Sequence, residues 1–252
     1  GLLWLYARLK GQPVFFPAGG QLHALVIGLL FGVEFLFIYW GLSFTPASRG
    51  IIFLYISPFL VALGAHFFLA GDRLTPVKLA GLILAFSGIA AVFGAKSPEL
   101  PPGYWIGDLM QLAAGFLWAA TTLYIKRIIP RLGLHHYQTL FAQLFYSIPV
   151  LAVGALILDR GRPFHPTGLA LGALAFQCLV VAFFSYVLFF WLVHRFPVSR
   201  LTSFTFLAPL FGVILGATLL SEPVTPLVWL GLALVGAGIY LVNRPPAGKM
   251  GS

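Results

Sequence analysis

The chain is built from long apolar stretches separated by short breaks that carry proline, glycine and charged residues. A helix crosses the hydrocarbon core of a bilayer with about 20 apolar residues. Eight stretches reach this length, at residues 22–44, 47–70, 76–95, 104–128, 135–158, 167–193, 198–220 and 225–243. Since they are continuous and show no alternation of apolar and polar positions, they predict membrane-spanning α-helices rather than the strands of a barrel.

The composition agrees with a chain embedded in lipid. Of its 252 residues, 60% are hydrophobic and 8% are charged, whereas a soluble domain carries about 25% charged residues. The formal net charge is +9, but the Lys and Arg residues lie in the short breaks or near the ends of the apolar stretches. That placement is typical of a membrane protein oriented by its basic loops, and it disfavours a nucleic-acid partner. The lone Cys178 excludes an intramolecular disulfide.

Two halves of the sequence resemble each other. At a spacing of 151 residues, Thr45-Pro46-Ala47-Ser48-Arg49 matches Phe196-Pro197-Val198-Ser199-Arg200, and Pro58 matches Pro209. At a spacing of 150 residues, Asp72, Thr75, Pro76, Gly81, Gly88 and Ile89 match Glu222, Thr225, Pro226, Gly231, Gly238 and Ile239. Shared hydrophobicity does not explain coincident prolines, glycines and charges, so the pattern predicts an internal duplication.

The duplication predicts the domain organisation. Residues 1–97 form the first repeat and residues 104–243 form the second, which contains five predicted helices. The first repeat contains only three complete ones, and residues 1–9 match the end of a second helix. We therefore expect a ten-helix parent of which this chain lacks the first helix and most of the second. Because five is odd, the two repeats are predicted to be inverted in the membrane, as in many secondary transporters.

The basic residues also predict an orientation. With the segment before residue 22 placed inside, eleven of them lie inside: Arg8, Lys10, Arg73, Lys78, Lys126, Arg127, Arg131, Arg195, Arg200, Arg244 and Lys249. Four lie outside: Arg49, Lys96, Arg160 and Arg162. Loops on the cytoplasmic side carry the excess of Lys and Arg. The C-terminus is therefore expected to be cytoplasmic.

The duplicated motif resembles a known family. A Pro-x-Ser, a proline within the next span, an acidic residue at its end, Thr-Pro and a glycine-rich helix occur twice. This arrangement resembles the EamA-type transporters of the drug/metabolite transporter superfamily, as does Gly107-Asp108-Leu109 followed by Trp118. The resemblance implies ten helices around a central cavity in the bacterial inner membrane, and export of amino acids or other small metabolites without a cofactor.

Glu34 is the most informative residue of the sequence. It lies near the middle of the 22–44 stretch, whereas the other acids lie at helix ends or in loops: Asp72, Glu99, Asp108, Asp159 and Glu222. A carboxylate at that depth is costly unless it is protonated, paired or hydrated, so it is a functional candidate. Glu34 could bind protons, could serve as the counter-ion of a cationic or zwitterionic substrate, or could hydrogen-bond to a neighbouring helix as a structural residue. Its repeat partner is Ser185, which favours function.

Further substrate candidates are polar or aromatic residues inside the predicted spans. They are Gln111, Gln177, Trp118, Tyr39 and Tyr186. The amides could line a polar cavity or hydrogen-bond between helices. Trp118 is too deep for the aromatic belt at the membrane surface, so it could contact an aromatic or cationic substrate or simply fill space.

Two prolines, Pro58 and Pro209, fall within spans at equivalent repeat positions. Each removes a backbone hydrogen bond and is expected to kink or break its helix. In inverted-repeat transporters such paired breaks point toward the binding site, although a kink that only shapes packing remains an alternative. Asp72 and Glu222 are expected to cap the helices that follow them.

Three functions are compatible with these features. The leading hypothesis is an alternating-access carrier for small aromatic or cationic metabolites. A passive, channel-like facilitator and a membrane-embedded enzyme acting on a lipid-linked substrate are the alternatives. The enzyme is disfavoured because no nucleophile and base constellation or metal-ligand spacing is visible in the sequence. The expected partners are the substrate and membrane lipid, and the sequence leaves a homodimer open.

Overall fold

A computed structural model describes residues 1–94, 100–158, 167–220 and 226–244. The helices are α1 (Leu2–Leu9), α2 (Gln21–Gly41), α3 (Ala47–Leu54), α4 (Ser57–Phe68), α5 (Pro76–Gly94), α6 (Tyr104–Leu132), α7 (His136–Leu158), α8 (Gly168–Phe176), α9 (Tyr186–Arg195), α10 (Val198–Ser203), α11 (Leu207–Leu220) and α12 (Pro226–Asn243). A π-helix, Gln177–Ser185, joins α8 to α9, and a 3₁₀ turn, Phe204–Phe206, joins α10 to α11. Predictions made above also concern residues outside the described ranges: Lys96, Glu99, Asp159, Arg160, Arg162, Glu222, Thr225 and Lys249.

The predicted spans are helical. In the part of the chain that the structure describes, seven helices are long and apolar enough to cross a membrane: Gln21–Gly41, Arg49–Phe68, Pro76–Phe93, Tyr104–Leu132, His136–Leu158, Gly168–Arg195 and Pro226–Asn243. The remaining stretch, 198–220, consists of α10, the 3₁₀ turn and α11. No strand occurs within the described residues. The prediction of an all-α polytopic membrane protein is confirmed, and the inverted arrangement of its repeats stays a prediction.

The chain forms two compact units. Unit 1 comprises Gly1–Leu36 and Ala120–Phe196, and unit 2 comprises Phe37–Ala119 and Pro197–Ser252. Each unit therefore contains segments of both predicted repeats. The units are described separately below.

The core of unit 1 contains a close contact between α2 and α7. Gly28 and Gly32 face Tyr146 and Val150, and a methyl group on Gly32 would lie 2.8 Å from the Cβ of Val150. Small residues of this kind let helix backbones approach closely inside a membrane. The glycines of α2 therefore fix its distance from α7.

The core of unit 2 contains the crossing of α5 and α12. A methyl group on Gly81 would lie 2.6 Å from the carbonyl oxygen of Gly238, and one on Gly88 would lie 2.7 Å from that of Gly231. The helices therefore run in opposite directions. In the predicted repeat, Gly81 matches Gly231 and Gly88 matches Gly238. Gly81 therefore contacts the partner of Gly88, and Gly88 contacts the partner of Gly81. The predicted inverted duplication would give this reciprocal pattern.

The two spans that contain Pro58 and Pro209 are interrupted. Pro58 is the second residue of α4, which follows a break after α3, and Pro209 is the third residue of α11, which follows the 3₁₀ turn. The prolines therefore lie in first helical turns after a break rather than inside continuous helices. A proline is tolerated there because the first turn has unpaired N–H groups in any case.

Asp72 does not cap the helix that follows it, contrary to the prediction. The hydroxyl of Thr75 accepts a hydrogen bond from the Lys78 N–H at the start of α5. The carboxylate of Asp72 instead accepts from the backbone N–H of Ser199, in the first turn of α10, at 3.0 Å. Sequence proximity pointed to α5, but tertiary packing brings the first turn of α10 to Asp72.

Candidate functional site

Glu34 lies on the buried face of α2, in unit 1. It follows Ala24, Ile27 and Phe31 at helical spacing, and only 5% of its surface is exposed. Within the described residues, its Oε2 atom has no hydrogen-bond partner. Buried polar atoms are almost always paired, and an unpaired one needs an explanation such as a ligand, a proton or a functional water. Glu34 therefore stays a candidate for proton or substrate binding.

Tyr186 packs against Phe31 of α2. It begins α9, and its ring lies edge-on to Phe31, with 6.3 Å between the centroids. Phe31 precedes Glu34 by three residues, which is about one helical turn. The structure thus brings Tyr186 to the helix face that carries Glu34.

Gln177 and Ser185 lie at the two ends of the π-helix in unit 1. Both side chains are exposed, and α8 has no buried residue. Ser185, the repeat partner of Glu34, donates its hydroxyl hydrogen to the Val181 carbonyl oxygen at 2.7 Å. The serine satisfies its polar group within its own helix, whereas Glu34 at the matching position does not.

Gln111 of unit 2 has a structural contact. Its side chain is 1% exposed, and its Nε2 donates to the carbonyl oxygen of Ile38 at 2.9 Å. Gly41 and Gly50 lie against the same side chain. Gln111 therefore joins α6 to the end of α2 and to α3, so its amide hydrogens are partly used by the fold.

The remaining candidates of unit 2 differ in exposure. Trp118 is half-buried on α6, and Tyr39 near the end of α2 is exposed. Pro58 is buried, whereas Pro209 is half-buried. The serine before Pro58 is the second residue with an unpaired buried atom: Ser57 is 1% exposed, and its Oγ has no hydrogen-bond partner within the described residues.

An ion pair that the sequence analysis did not predict lies in unit 2. The buried carboxylate of Asp108 accepts from the Arg49 Nε at 2.7 Å and from the Thr45 hydroxyl at 2.8 Å. The guanidinium lies over the ring of Tyr104, 4.9 Å from its centroid. A signal was present, because Arg49 and Asp108 carry opposite charges at helix ends predicted on the same side of the membrane.

Two polar contacts in unit 1 were also not predicted. His23 of α2 and the hydroxyl of Tyr124 of α6 are 2.6 Å apart. Lys126, half a turn further along α6, donates to the carbonyl oxygens of Val193 and Phe196, at 2.5 and 3.0 Å. These carbonyl oxygens lie at and just after the C-terminal end of α9, where a helix leaves its last carbonyl groups unpaired, and a lysine side chain can satisfy them. These contacts fasten α6 to α2 and to the end of α9.

Metal binding has no support in the described part of the chain. No group of three or more His, Cys, Asp or Glu residues there could hold a metal ion. Within the described residues, Glu34 and Ser57 are the two residues with an unpaired buried side-chain oxygen.

The comparisons with known proteins identify transporters. The "Uncharacterized transporter YvbV" of Bacillus subtilis is 28% identical over 87% of this chain and 69% of its own length. A "Probable amino-acid metabolite efflux pump" of Escherichia coli is 29% identical over 82% of this chain and 71% of its own. A solved structure, titled "Crystal structure of protein", superposes with a TM-score of 0.80 at 20% identity, covering 95% of this chain and 82% of the other. That likeness supports the fold alone.

The family assignment rests on a match over nearly the whole chain. The profile described as "EamA-like transporter family" matches residues 1–94 and 105–244. The names of the relatives likewise indicate transporters rather than enzymes. The resemblance drawn from the duplicated proline and glycine pattern is confirmed, and the chain belongs to the EamA-like transporter family.

Proposed function

We propose that this protein is a secondary carrier that exports small amino-acid-type metabolites in exchange for protons, with Glu34 as the proton-binding residue. The single observation that carries the proposal is the buried, unpaired Oε2 of Glu34. The chain belongs to a transporter family, so an unpaired carboxyl group within a span has an evident use there.

The chemistry of a carboxyl group fits this role. A charged carboxylate in the hydrocarbon region is costly, and such residues in transporters commonly lie on ion or proton pathways. A neutral carboxylic acid is cheaper to bury, so Glu34 favours a bound proton when water is excluded and releases it when water enters. Alternating access of that kind couples proton movement to solute movement.

The choice of solute follows the aromatic and acidic character of the site. Phe31 and Tyr186 provide aromatic surface one turn from Glu34. An efflux pump for an amino-acid metabolite is named among the relatives, at 29% identity. An aromatic amino acid or a derived amine is therefore the first class of substrate to test.

The proposed orientation places the C-terminus in the cytoplasm of a bacterial cell, with the protein in the inner membrane. Eleven basic residues lie on the predicted inner side and four on the outer side, and this excess supports the orientation. The basic side chains of α6 illustrate the pattern, because Lys126, Arg127 and Arg131 are clustered in its last turns.

The experiment uses purified protein reconstituted into liposomes. Counterflow of labelled L-phenylalanine and of labelled phenylethylamine is measured at equal pH on both sides, and then with a pH gradient. Saturable counterflow is expected of a carrier, whereas a channel-like facilitator gives none. A pH gradient is expected to drive accumulation against a concentration gradient.

Glu34→Gln is the decisive variant, because the amide keeps the size of the side chain but binds no proton. It is expected to retain counterflow at equal pH and to lose the response to the gradient. Glu34→Asp keeps the titratable group and is expected to retain part of the response. An unchanged response in Glu34→Gln, with the protein still monodisperse, would refute Glu34 as the proton-binding residue.

A further inference from the structure

The two broken spans of unit 2 meet at equivalent positions. Tyr55 lies at the end of α3 and Phe206 ends the 3₁₀ turn after α10, and these residues are 151 positions apart, which is the spacing of the repeat. Their rings contact each other, with 6.0 Å between the centroids. In the predicted inverted duplication, a contact between repeat partners lies on the local two-fold axis. The helix breaks are therefore a feature of both copies.

The polar groups at matching positions of the two breaks differ. The hydroxyl residue of the second break is Thr205, which donates to the Thr202 carbonyl oxygen at 2.7 Å. The first copy carries Tyr55 and Ser57, whereas the second carries Phe206 and Ala208 at the matching positions. A group that only supported the duplicated scaffold would be expected in both copies. The difference therefore points to a role that the scaffold does not need.

Ser57 is the first residue of α4 and lies near the middle of the Arg49–Phe68 span. Its neighbours Phe59 and Leu60 donate their N–H groups back to the Ile56 carbonyl oxygen. The Ser57 hydroxyl has no partner within the described residues, although it is 1% exposed. A helix N-terminus carries partial positive charge, and a free hydroxyl there is a hydrogen-bond donor for an anion.

The carbonyl side of the same break is already covered. Pro58 has no N–H group, so it cannot bond to the carbonyl oxygen of Leu54 four residues earlier. That oxygen faces Gly115 of α6 so closely that a methyl group on Gly115 would lie 3.0 Å from it. Because α6 occupies this side, the break offers a donor for an anion rather than a set of oxygen ligands for a cation.

We propose that the break before α4 binds the carboxylate of the transported solute, through the Ser57 hydroxyl and the N-terminal end of α4. The inference rests on the proposed function, because it assigns a feature of the solute, a carboxylate group, to a second polar position. It deepens that function by selecting amino acids over the corresponding amines.

The test compares three probes on protein in nanodiscs: L-phenylalanine, 3-phenylpropionate, which keeps only the carboxylate, and phenylethylamine, which lacks it. Binding is followed by intrinsic tryptophan fluorescence, and counterflow is measured separately in liposomes. Ser57→Ala should fold, because alanine is the residue at the matching position of the second copy. The matched control is Ser147→Ala, since the Ser147 hydroxyl is equally buried but donates to the Leu144 carbonyl oxygen at 2.9 Å.

We expect Ser57→Ala to weaken binding of L-phenylalanine and 3-phenylpropionate about tenfold, since a hydrogen bond to a charged group is lost, and to leave phenylethylamine within about twofold. Ser147→Ala should change none of the three. An equal effect of Ser57→Ala on all probes, no effect on any, or no binding of the two carboxylates to the unaltered protein would each overturn the carboxylate site. Ser57-dependent binding without counterflow would contradict the carrier function and retain the site.

Discussion

The carboxylate of Asp72 accepts hydrogen bonds from both the backbone N–H and the hydroxyl of Ser199. The ammonium group of Lys78 lies 2.9 Å from the same carboxylate. Asp72 precedes α5, whereas Ser199 lies in the first turn of α10, so an acid from one predicted repeat caps a helix of the other. Hydrogen bonds of this kind satisfy orphan N–H groups and interact favourably with the helix dipole.

The contacts of Asp72 make the stability of the protein depend on acidity. Burial raises the pKa of its carboxyl group, but the hydrogen bonds from Ser199 and Lys78 and the charge of Lys78 outweigh burial and hold the pKa below its ordinary value. A depressed pKa contributes stability that is present above the unfolded value of about 3.9 and is lost as the pH falls toward the folded value.

Asp72→Asn is therefore expected to lower the thermal unfolding midpoint at pH 7, because the ion pair with Lys78 and the charge at the start of α10 are lost. The cost should be about 1.5–3 kcal/mol, the range for hydrogen bonds to charged groups. The difference from the unaltered protein should stay constant between pH 7 and 5 and shrink below about pH 4. A difference that grows in acid would contradict this assignment. Unfolding in detergent across this pH range is the measurement.

The glycines at the α5 and α12 crossing predict a strong positional effect. Gly238→Ala would place a methyl group 2.5 Å from the Gly81 carbonyl oxygen and 2.7 Å from the Ala85 nitrogen, so the backbones must separate. Such overpacking costs about 1–3 kcal/mol. Gly236→Ala, on the same helix, meets nothing within 4 Å and should be neutral or stabilising by up to about 1 kcal/mol, because alanine favours helix more than glycine. Equal unfolding midpoints for the two variants would refute the close contact.

Much of the fold was accessible from the sequence because its signals are local or repeated. Apolar length alone predicts the spans, and the prolines at positions 58 and 209 predict breaks because proline lacks an N–H group. The glycines that meet at the α5 and α12 crossing were visible as matched pairs, such as Gly81 and Gly231, because a duplicated contact leaves its small residues twice in the sequence.

Only some residues of the candidate site could be predicted from the sequence, for physical reasons. Glu34 is informative because a lone acid in an apolar span is costly in any arrangement. The partner of Gln111 is a main-chain oxygen of Ile38, 73 residues away, which side-chain chemistry does not reveal. The exposure of Gln177 could not be predicted either, because the helix before it is apolar on all sides and gives no periodicity that marks an inner face.

The ion pair of Arg49 and Asp108 predicts a measurable coupling. Asp108 is buried, and the guanidinium also contacts Tyr104. Arg49→Gln leaves the Asp108 carboxylate with the Thr45 hydroxyl alone. Arg49→Gln should therefore destabilise the unaltered protein more than it destabilises the Asp108→Asn variant. A double-mutant cycle should give a coupling of about 1–2 kcal/mol, as for residues in one network. Arg131→Gln, at an exposed position, serves as the control. A coupling near zero would show that the pair only neutralises charge.

The break before α4 predicts opposite effects of one substitution on stability and on transport. Pro58→Ala supplies an N–H group that can bond to the Leu54 carbonyl oxygen and join α3 to α4, so the unfolding midpoint should rise or stay unchanged. If the break serves transport, counterflow should fall at least tenfold. Pro149→Ala is the matched control. Pro149 lies inside the continuous helix α7, so its replacement does not join two separate helices. If Pro58→Ala and Pro149→Ala both keep the counterflow rate of the unaltered protein, transport does not need the break, and the break shapes packing only.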